Sequence, residues 1–206
     1  MESGIPIVEH CCSVLGKCYS APVTSVHTGS RARTRQAILD AAIEVLARNP
    51  AASLGDVAEA ADVGRTTLHR YFPERGELLT ALRAEATARL DRAAVRARID
   101  EGPGATALAR LCQEYFDLGD VLSLLFLEQV TFEGEEGGCD EGFDAMVRRG
   151  HADGSIDPEL PPVWVQNLLW SQLYAGWNYL AEHGASRHDT LRLVLRCVSG
   201  AVRPHP

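Results

Sequence analysis

Apolar residues recur at helical spacing along most of this chain, and no stretch alternates as a half-buried strand does. Ile38, Leu39, Ala42, Ile43 and Leu46 mark one face of a first helix, with Arg35, Gln36, Asp40, Glu44 and Arg48 off that face. Asn49-Pro50 ends it, because the residue before a proline is biased away from the helical region and Asn tolerates a left-handed cap. Ser53 and Asp56 have the spacing of a capping box, with Asp in place of Glu or Gln, and open a second helix that buries Leu54, Val57, Ala58 and Ala61. Its small residues Ala58, Ala60 and Ala61 let another helix cross closely. The third segment, Gly64 to Phe72, is short and has only Leu68 and Phe72 as apolar anchors.

Farther on, a long helix from about Arg75 carries Leu78, Leu79, Leu82, Ala86 and Leu90 and stops before Gly102-Pro103-Gly104. Leu108, Leu111, Cys112, Tyr115 and Phe116 form the next stripe, and Val121 to Val130 is so continuously apolar that it is expected to be buried. A helix near Phe143 to His151 leads to a turn-rich Asp153 to Pro158, and two helices close the chain, one from about Pro162 to Glu182 and one carrying Leu191 to Val202. The pattern predicts an all-α chain. Residues 1–29 are expected to form an irregular, flexible N-terminal extension, 30–77 a three-helix unit, and 78–206 a larger helical region.

Within 30–77, an amphipathic helix, a tight turn and a short polar helix make the helix-turn-helix arrangement that lays side chains into the DNA major groove. A purely structural third helix would carry more apolar residues than Leu68 and Phe72. Arg65, Thr66 and Thr67 stand at its start, nearest base edges, while His69, Arg70, Tyr71 and Arg75 are expected closer to phosphates. Arg31, Arg33, Thr34 and Arg35 sit where a basic arm would enter the same surface.

Three blocks in order, Thr34-Arg35-Gln36-Ala37-Ile38-Leu39-Asp40-Ala41-Ala42, Val57-Ala58-Glu59-Ala60-Ala61-Asp62-Val63 and Thr67-Leu68-His69-Arg70-Tyr71-Phe72-Pro73, resemble the N-terminal domain of the TetR family of bacterial transcriptional regulators. Asp62 stands where that family usually has Gly, Gly64 where it has Ser, and His69 where it has Tyr. Asp can adopt the turn conformation at modest cost and Gly is an acceptable helix cap, so the fold is expected to survive. The family's Tyr commonly contacts a phosphate; His69 in that role would make the contact depend on pH. The resemblance implies a homodimer on double-stranded operator DNA, a C-terminal domain that admits a small-molecule effector, and regulation of transcription, most simply repression.

Charge is divided unevenly. The 206 residues carry a net −8, yet residues 1–100 hold 13 Lys/Arg against 12 Asp/Glu and residues 101–206 hold 7 against 16, so the phosphate-facing surface must lie in the first half. No apolar run is long enough to span a membrane, and no signal peptide is recognisable, which with dispersed Cys112, Cys139 and Cys197 suits a reducing cytoplasm. His10, Cys11, Cys12, Cys18 and His27 lack the spacing of a known zinc framework, and Asp140, Glu141 and Asp144 lack the alternation of a calcium loop. No metal and no cofactor is expected. A small helical enzyme acting on an apolar substrate is the alternative reading, but no Ser/His/Asp or Cys/His set or phosphate loop supports it.

The last two helices carry more apolar surface than terminal helices in water should. Leu173, Gly176 and Trp177 on one, with Leu191, Leu195 and Val198 on the other, are expected to form a four-helix interface between two copies, Gly176 and Gly200 permitting close approach; an intramolecular core is the competing solution. A different edge holds Asn167, Trp170, Tyr174 and Asn178, amides and aromatic rings suited to a pocket for an apolar or aromatic ligand, with Tyr115, Phe116, Phe126, Phe132 and Met146 as further walls. This edge offers no cation, so a neutral or cationic ligand is expected unless Arg110, Arg148 or Arg149 meets an anion from elsewhere.

Overall fold

The computed structural model describes residues 29–127 and 141–205, with the backbone alone at 125–127, and among them are nine helices and no strand. In chain order these are α1 Ser30–Arg48, α2 Leu54–Ala60, α3 Arg65–Tyr71, α4 Arg75–Ala97, α5 Gly104–Phe116, α6 Gly119–Leu127, α7 Glu141–Ala152, α8 Pro162–His183 and α9 Arg187–Ala201. The chain is all-α, as the periodicity requires. Two compact units part within α4, between Arg89 and Leu90, and α6 from Asp120 onward belongs with the first. The expected division at 77/78 falls in the first turn of α4, a helix that runs on without a break.

The first unit is built on α1, whose entire anticipated stripe, Ile38, Leu39, Ala42, Ile43 and Leu46, is buried. Asn49 ends the helix in extended backbone and not in the left-handed region expected of it: φ is −142°, its N–H bonds the Val45 carbonyl, and its side chain accepts from Ala51 N–H at 3.1 Å. An Asx turn into Pro50 supplies the termination that a left-handed cap would have supplied. The Ser53–Asp56 capping box is complete, with Ser53 N–H donating to Asp56 at 2.7 Å and Asp56 N–H donating to Ser53 Oγ at 3.2 Å. Donation from the Ser53 backbone, then from its hydroxyl, holds the Asp56 carboxyl below its usual range. The buried face of α2 is narrower than anticipated: Val57 and Ala58 are buried, Leu54 and Ala61 half-buried, and Ala60 exposed. Asp62 turns the chain into α3 at φ 52°, the left-handed conformation foreseen for it.

In the second unit, backbones approach where side chains are absent. A Cβ on Gly104 would lie 2.4 Å from Gly150 Cα, and one on Gly150 would lie 2.5 Å from Ile156 Cδ1, so α5 and α7 meet at a contact only glycine allows. Pro103 cannot cap α5, and the helix's first N–H groups are satisfied from the α7–α8 connection, Gly104 donating to Asp153 at 2.9 Å and Ala105 to Ser155 Oγ at 3.0 Å. Hydrogen bonds from Ser155 and from the Gly104 amide hold the Asp153 carboxyl low.

The packing of α5 with α8 and α9 revises the interface expected from sequence. Leu173 and Val198 are buried inside one chain, and a Cβ on Gly176 would lie 2.6 Å from Val194 Cγ2 and 3.2 Å from Phe116 Cε2. Gly176 thus permits close approach between α8 and α9 of the same chain. Trp177 is half-buried and stacks on Phe116 at 5.2 Å, while Leu191 and Leu195 are half-buried. The side chains that α8 and α9 leave exposed are others, among them Trp164, Tyr174, Tyr179 and Leu193.

The Gly104–Gly150 contact gives a direct test. Gly104→Ala places a methyl group against backbone, which cannot swing aside, and is expected to lower stability by about 1–3 kcal/mol in urea unfolding. An unchanged midpoint and slope would show that the contact yields.

Candidate nucleic-acid interface and effector-binding region

Helix α3 has seven residues, of which only Leu68 is buried; Phe72, just past its end, is 3% exposed. These two anchors fix the helix on α2 and leave its other faces to water. Arg65, Thr66, His69 and Arg70 are exposed, and Thr67 and Tyr71 are half-buried. Gly64 begins the helix without a side-chain cap, so its first N–H groups carry no acceptor from that position. The Arg65 guanidinium lies back over Gly55, close enough for its charge to help keep Asp56 ionised. Reading a base edge requires that side chain to swing away from α2.

The basic groups foreseen on α1 separate by helical angle. Arg31 and Arg35, four residues apart, lie over rings at the end of α3: the Arg31 guanidinium is 5.8 Å from the Tyr71 centroid and that of Arg35 is 5.5 Å from Phe72. The Arg70 guanidinium is 5.7 Å from the Tyr71 ring. Arg33 is exposed on another face of α1, and the half-buried Thr34 directs its hydroxyl to the Ser30 carbonyl at 3.0 Å. Arg75 is not free for phosphate. Its guanidinium donates to the Ala52 carbonyl at 2.5 Å and to Pro50 at 2.6 Å, tying the start of α4 to the α1–α2 connection. The sequence could not show this, because those carbonyls lie more than twenty residues away.

His69 Nδ1 is 3.3 Å from the Pro73 carbonyl oxygen, which can only accept, so Nδ1 carries the hydrogen. In the neutral ring Nε2 is then an acceptor, and only the imidazolium can donate from it to a phosphate.

In the second unit the anticipated pocket residues divide. Tyr115 and Trp170 stack at 5.2 Å with ring planes 20° apart, Trp170 only 3% exposed. Asn167, one turn before Trp170, is half-buried; Tyr174 is 40% exposed and Asn178 is exposed, so the edge turns outward along α8 and Asn178 does not share the surroundings of Trp170. Phe116 and Met146 are fully buried. Phe116 packs on Trp177 beneath the Arg187 guanidinium, which lies 5.0 Å from the Trp177 ring and donates to the Phe116 carbonyl and to Asp117, each at 3.0 Å. Sequence reading missed Arg187, which stands seventy-one residues from the carbonyl it meets. The Phe126 side chain, Phe132, Cys139 and residues 1–28 with their cysteines lie outside the described residues.

The arginines expected as candidates to meet an anion are engaged. Arg110 donates to the carbonyls of Ala97, Arg98 and Glu101 at 2.6–2.8 Å, Arg149 to those of Gly102 and Ile99 at 2.7 and 2.5 Å, and Arg148 pairs with Asp144 at 3.0 Å. Among the described residues, one oxygen of Asp144 is buried with no hydrogen-bond partner. Burial pushes the Cys112 thiol up to about 12, so it stays protonated.

Residues 38–82 match the family described as bacterial regulatory proteins, tetR family. Over 180 residues the chain is 37% identical to the HTH-type transcriptional repressor LfrR of Mycolicibacterium smegmatis, an alignment covering 86% of this chain and 95% of that protein. This chain belongs to the TetR family. The crystal structure of LfrR from Mycobacterium smegmatis superposes with a TM-score of 0.61 at 36% identity, covering 85% of this chain and 99% of the other. The same regulator in complex with proflavine gives 0.66 at 35% identity, covering 84% and 99%. TetR-family relatives are transcriptional regulators, and this TetR chain is likewise not an enzyme. No helix among the described residues is long and apolar enough to cross a membrane.

Proposed function

We propose that this chain is a transcriptional repressor that binds a pseudo-palindromic operator as a homodimer in the cytoplasm and leaves it when a small apolar or aromatic molecule enters the second unit. The observation that carries the reading is α3: a short helix held by Leu68 and Phe72, with Arg65, Thr66, Thr67, His69 and Arg70 left to recognise DNA. Arg65, Thr66 and Thr67 read base edges; His69 and Arg70, with Arg31 and Arg35 from α1, meet phosphates. Recovery of duplexes from a random library by the purified chain tests this. A shared two-fold-symmetric site is expected, and recovery of no preferred sequence would overturn it.

Two copies meet through the faces that α8 and α9 leave exposed, Tyr179 and Leu193 among them, since the buried Leu173 and Val198 already serve the core of one chain. Leu193→Glu is expected to yield a folded monomer with weakened operator binding, whereas Leu173→Glu should unfold the chain by burying an unpaired charge. Sedimentation separates the two outcomes. A wild-type monomer that binds its operator tightly would refute the dimer.

The effector reading rests on the Tyr115–Trp170 pair and on charge. Stacked rings suit a flat aromatic ligand, and with Arg110 and Arg149 committed to carbonyls and Arg148 to Asp144, the region favours a neutral or cationic one. LfrR has been solved with proflavine, a flat aromatic cation, and proflavine is therefore the probe. It should quench tryptophan emission and release the operator over the same concentration range. Trp170→Phe should weaken both effects while sparing ligand-free operator binding. Operator release that is indifferent to Trp170→Phe would place the ligand elsewhere.

A further inference from the structure

We propose that the paired rings Tyr71 and Phe72 are positioning residues that hold Arg31, Arg35 and Arg70 as a preformed phosphate-binding triad, an inference that rests on the DNA-binding reading above. Three guanidinium groups from two helices converge on two adjacent rings: Arg31 and Arg70 on Tyr71 at 5.8 and 5.7 Å, and Arg35 on Phe72 at 5.5 Å. Arg31 and Arg35 are successive positions on one face of α1, while Tyr71 and Phe72 end α3, so the rings join the first turns of α1 to the recognition helix. Phe72 is 3% exposed and Tyr71 half-buried, which fixes the rings; the guanidinium groups stay exposed.

The chemistry follows from the shape of the ion. A guanidinium stacks through its flat face, where the ring quadrupole attracts the cation, and its N–H donors radiate in the plane of the group. A ring takes no N–H bond from the cation's plane, and with Arg31, Arg35 and Arg70 exposed their donors remain available to phosphate oxygens. Among the described residues none of the three arginines is paired with a carboxylate, in contrast to Arg48 with Glu44 and Arg89 with Asp40 and Glu85. Long side chains lose rotamer freedom when they bind, and ordering them beforehand on rigid rings removes that cost from the binding step. The role of Tyr71 is then carried by its ring. Its hydroxyl is dispensable, and Arg31, near the chain's basic entry, becomes a phosphate contact as important as Arg70.

The test uses the full chain and the duplex it selects from a random library, with affinity measured over a range of salt concentrations. Each phosphate contact contributes about 0.9 to the slope of log affinity against log salt. Tyr71→Leu is expected to reduce the slope by about 1–2 and affinity about tenfold, with base preference unchanged. Tyr71→Phe should behave as wild type. Tyr71→Leu added to Arg31→Ala/Arg70→Ala should cost little more, because the groups it orders are already gone. Partial unfolding would lower the active fraction without changing the slope, and circular dichroism monitors it independently. A Tyr71→Leu slope equal to that of wild type would overturn the proposal, as would loss of slope in Tyr71→Phe, which would mean that the hydroxyl itself donates to phosphate. A wild-type chain that selects no duplex would instead overturn the DNA-binding reading on which the triad depends.

Discussion

The end of α4 and the turn after it are held by two guanidinium groups. Arg98, left-handed at φ 48°, turns the chain out of the helix, its N–H bonding the Val95 carbonyl and its own carbonyl accepting from Glu101 N–H. Arg110 from α5 donates to Ala97, the last residue of α4, and to Arg98 and Glu101, while Arg149 from α7 donates to Ile99 and Gly102. The positive groups also oppose the negative end of the helix dipole. The helix runs through both units, which part between Arg89 and Leu90, before that end. At the other end of the same helix Arg75 donates to the carbonyls of Pro50 and Ala52 in the α1–α2 connection.

This use of arginine explains why the molecule keeps its charges sorted. Nineteen of the twenty Lys and Arg residues are Arg, and Arg75 in the first unit and Arg110, Arg149 and Arg187 in the second serve backbone oxygens. Arg31, Arg35 and Arg70 are different: they are exposed and lie 5.5–5.8 Å from ring centroids. A planar ion with in-plane donors can do either job, and a lysine, with one compact head, could span neither the two carbonyls at Arg75 nor the face of Tyr71 so well.

The features legible in the sequence are mostly those with a local determinant, although the cap at Asn49 is local too and is extended, not left-handed. The α1 stripe, the Ser53–Asp56 box and the turn at Asp62 depend on neighbours within a few residues, and all three are present. Reading failed where the partner is distant. Nothing near Arg75 announces Pro50, and nothing near Gly176 announces that Val194 and Phe116 will occupy the space a side chain would need. Periodicity identified α8 as apolar on several sides; it could not say which side the same chain would cover, and so Leu173 and Val198 were assigned to a partner copy when they belong to the core. The stripe Asn167, Trp170, Tyr174, Asn178 keeps to one side of α8, since Asn178 returns to within about 20° of Asn167 around the axis, but cover from the rest of the chain falls away along the helix, from the buried Trp170 to the exposed Asn178.

Asp62 has a consequence for how such chains diverge. Holding a residue with a Cβ at φ 52° costs about 1 kcal/mol, which glycine would avoid. Glycine in turn widens the unfolded ensemble and so loses a comparable amount, about 0.4–1 kcal/mol. The two effects oppose each other, and an Asp-to-Gly exchange at this turn, one nucleotide apart in the genetic code, is nearly neutral for the fold. What it changes is a negative charge on the exposed turn that leads into α3. Drift at this position can therefore retune how strongly the polyanion is repelled, with little penalty in foldedness to restrain it.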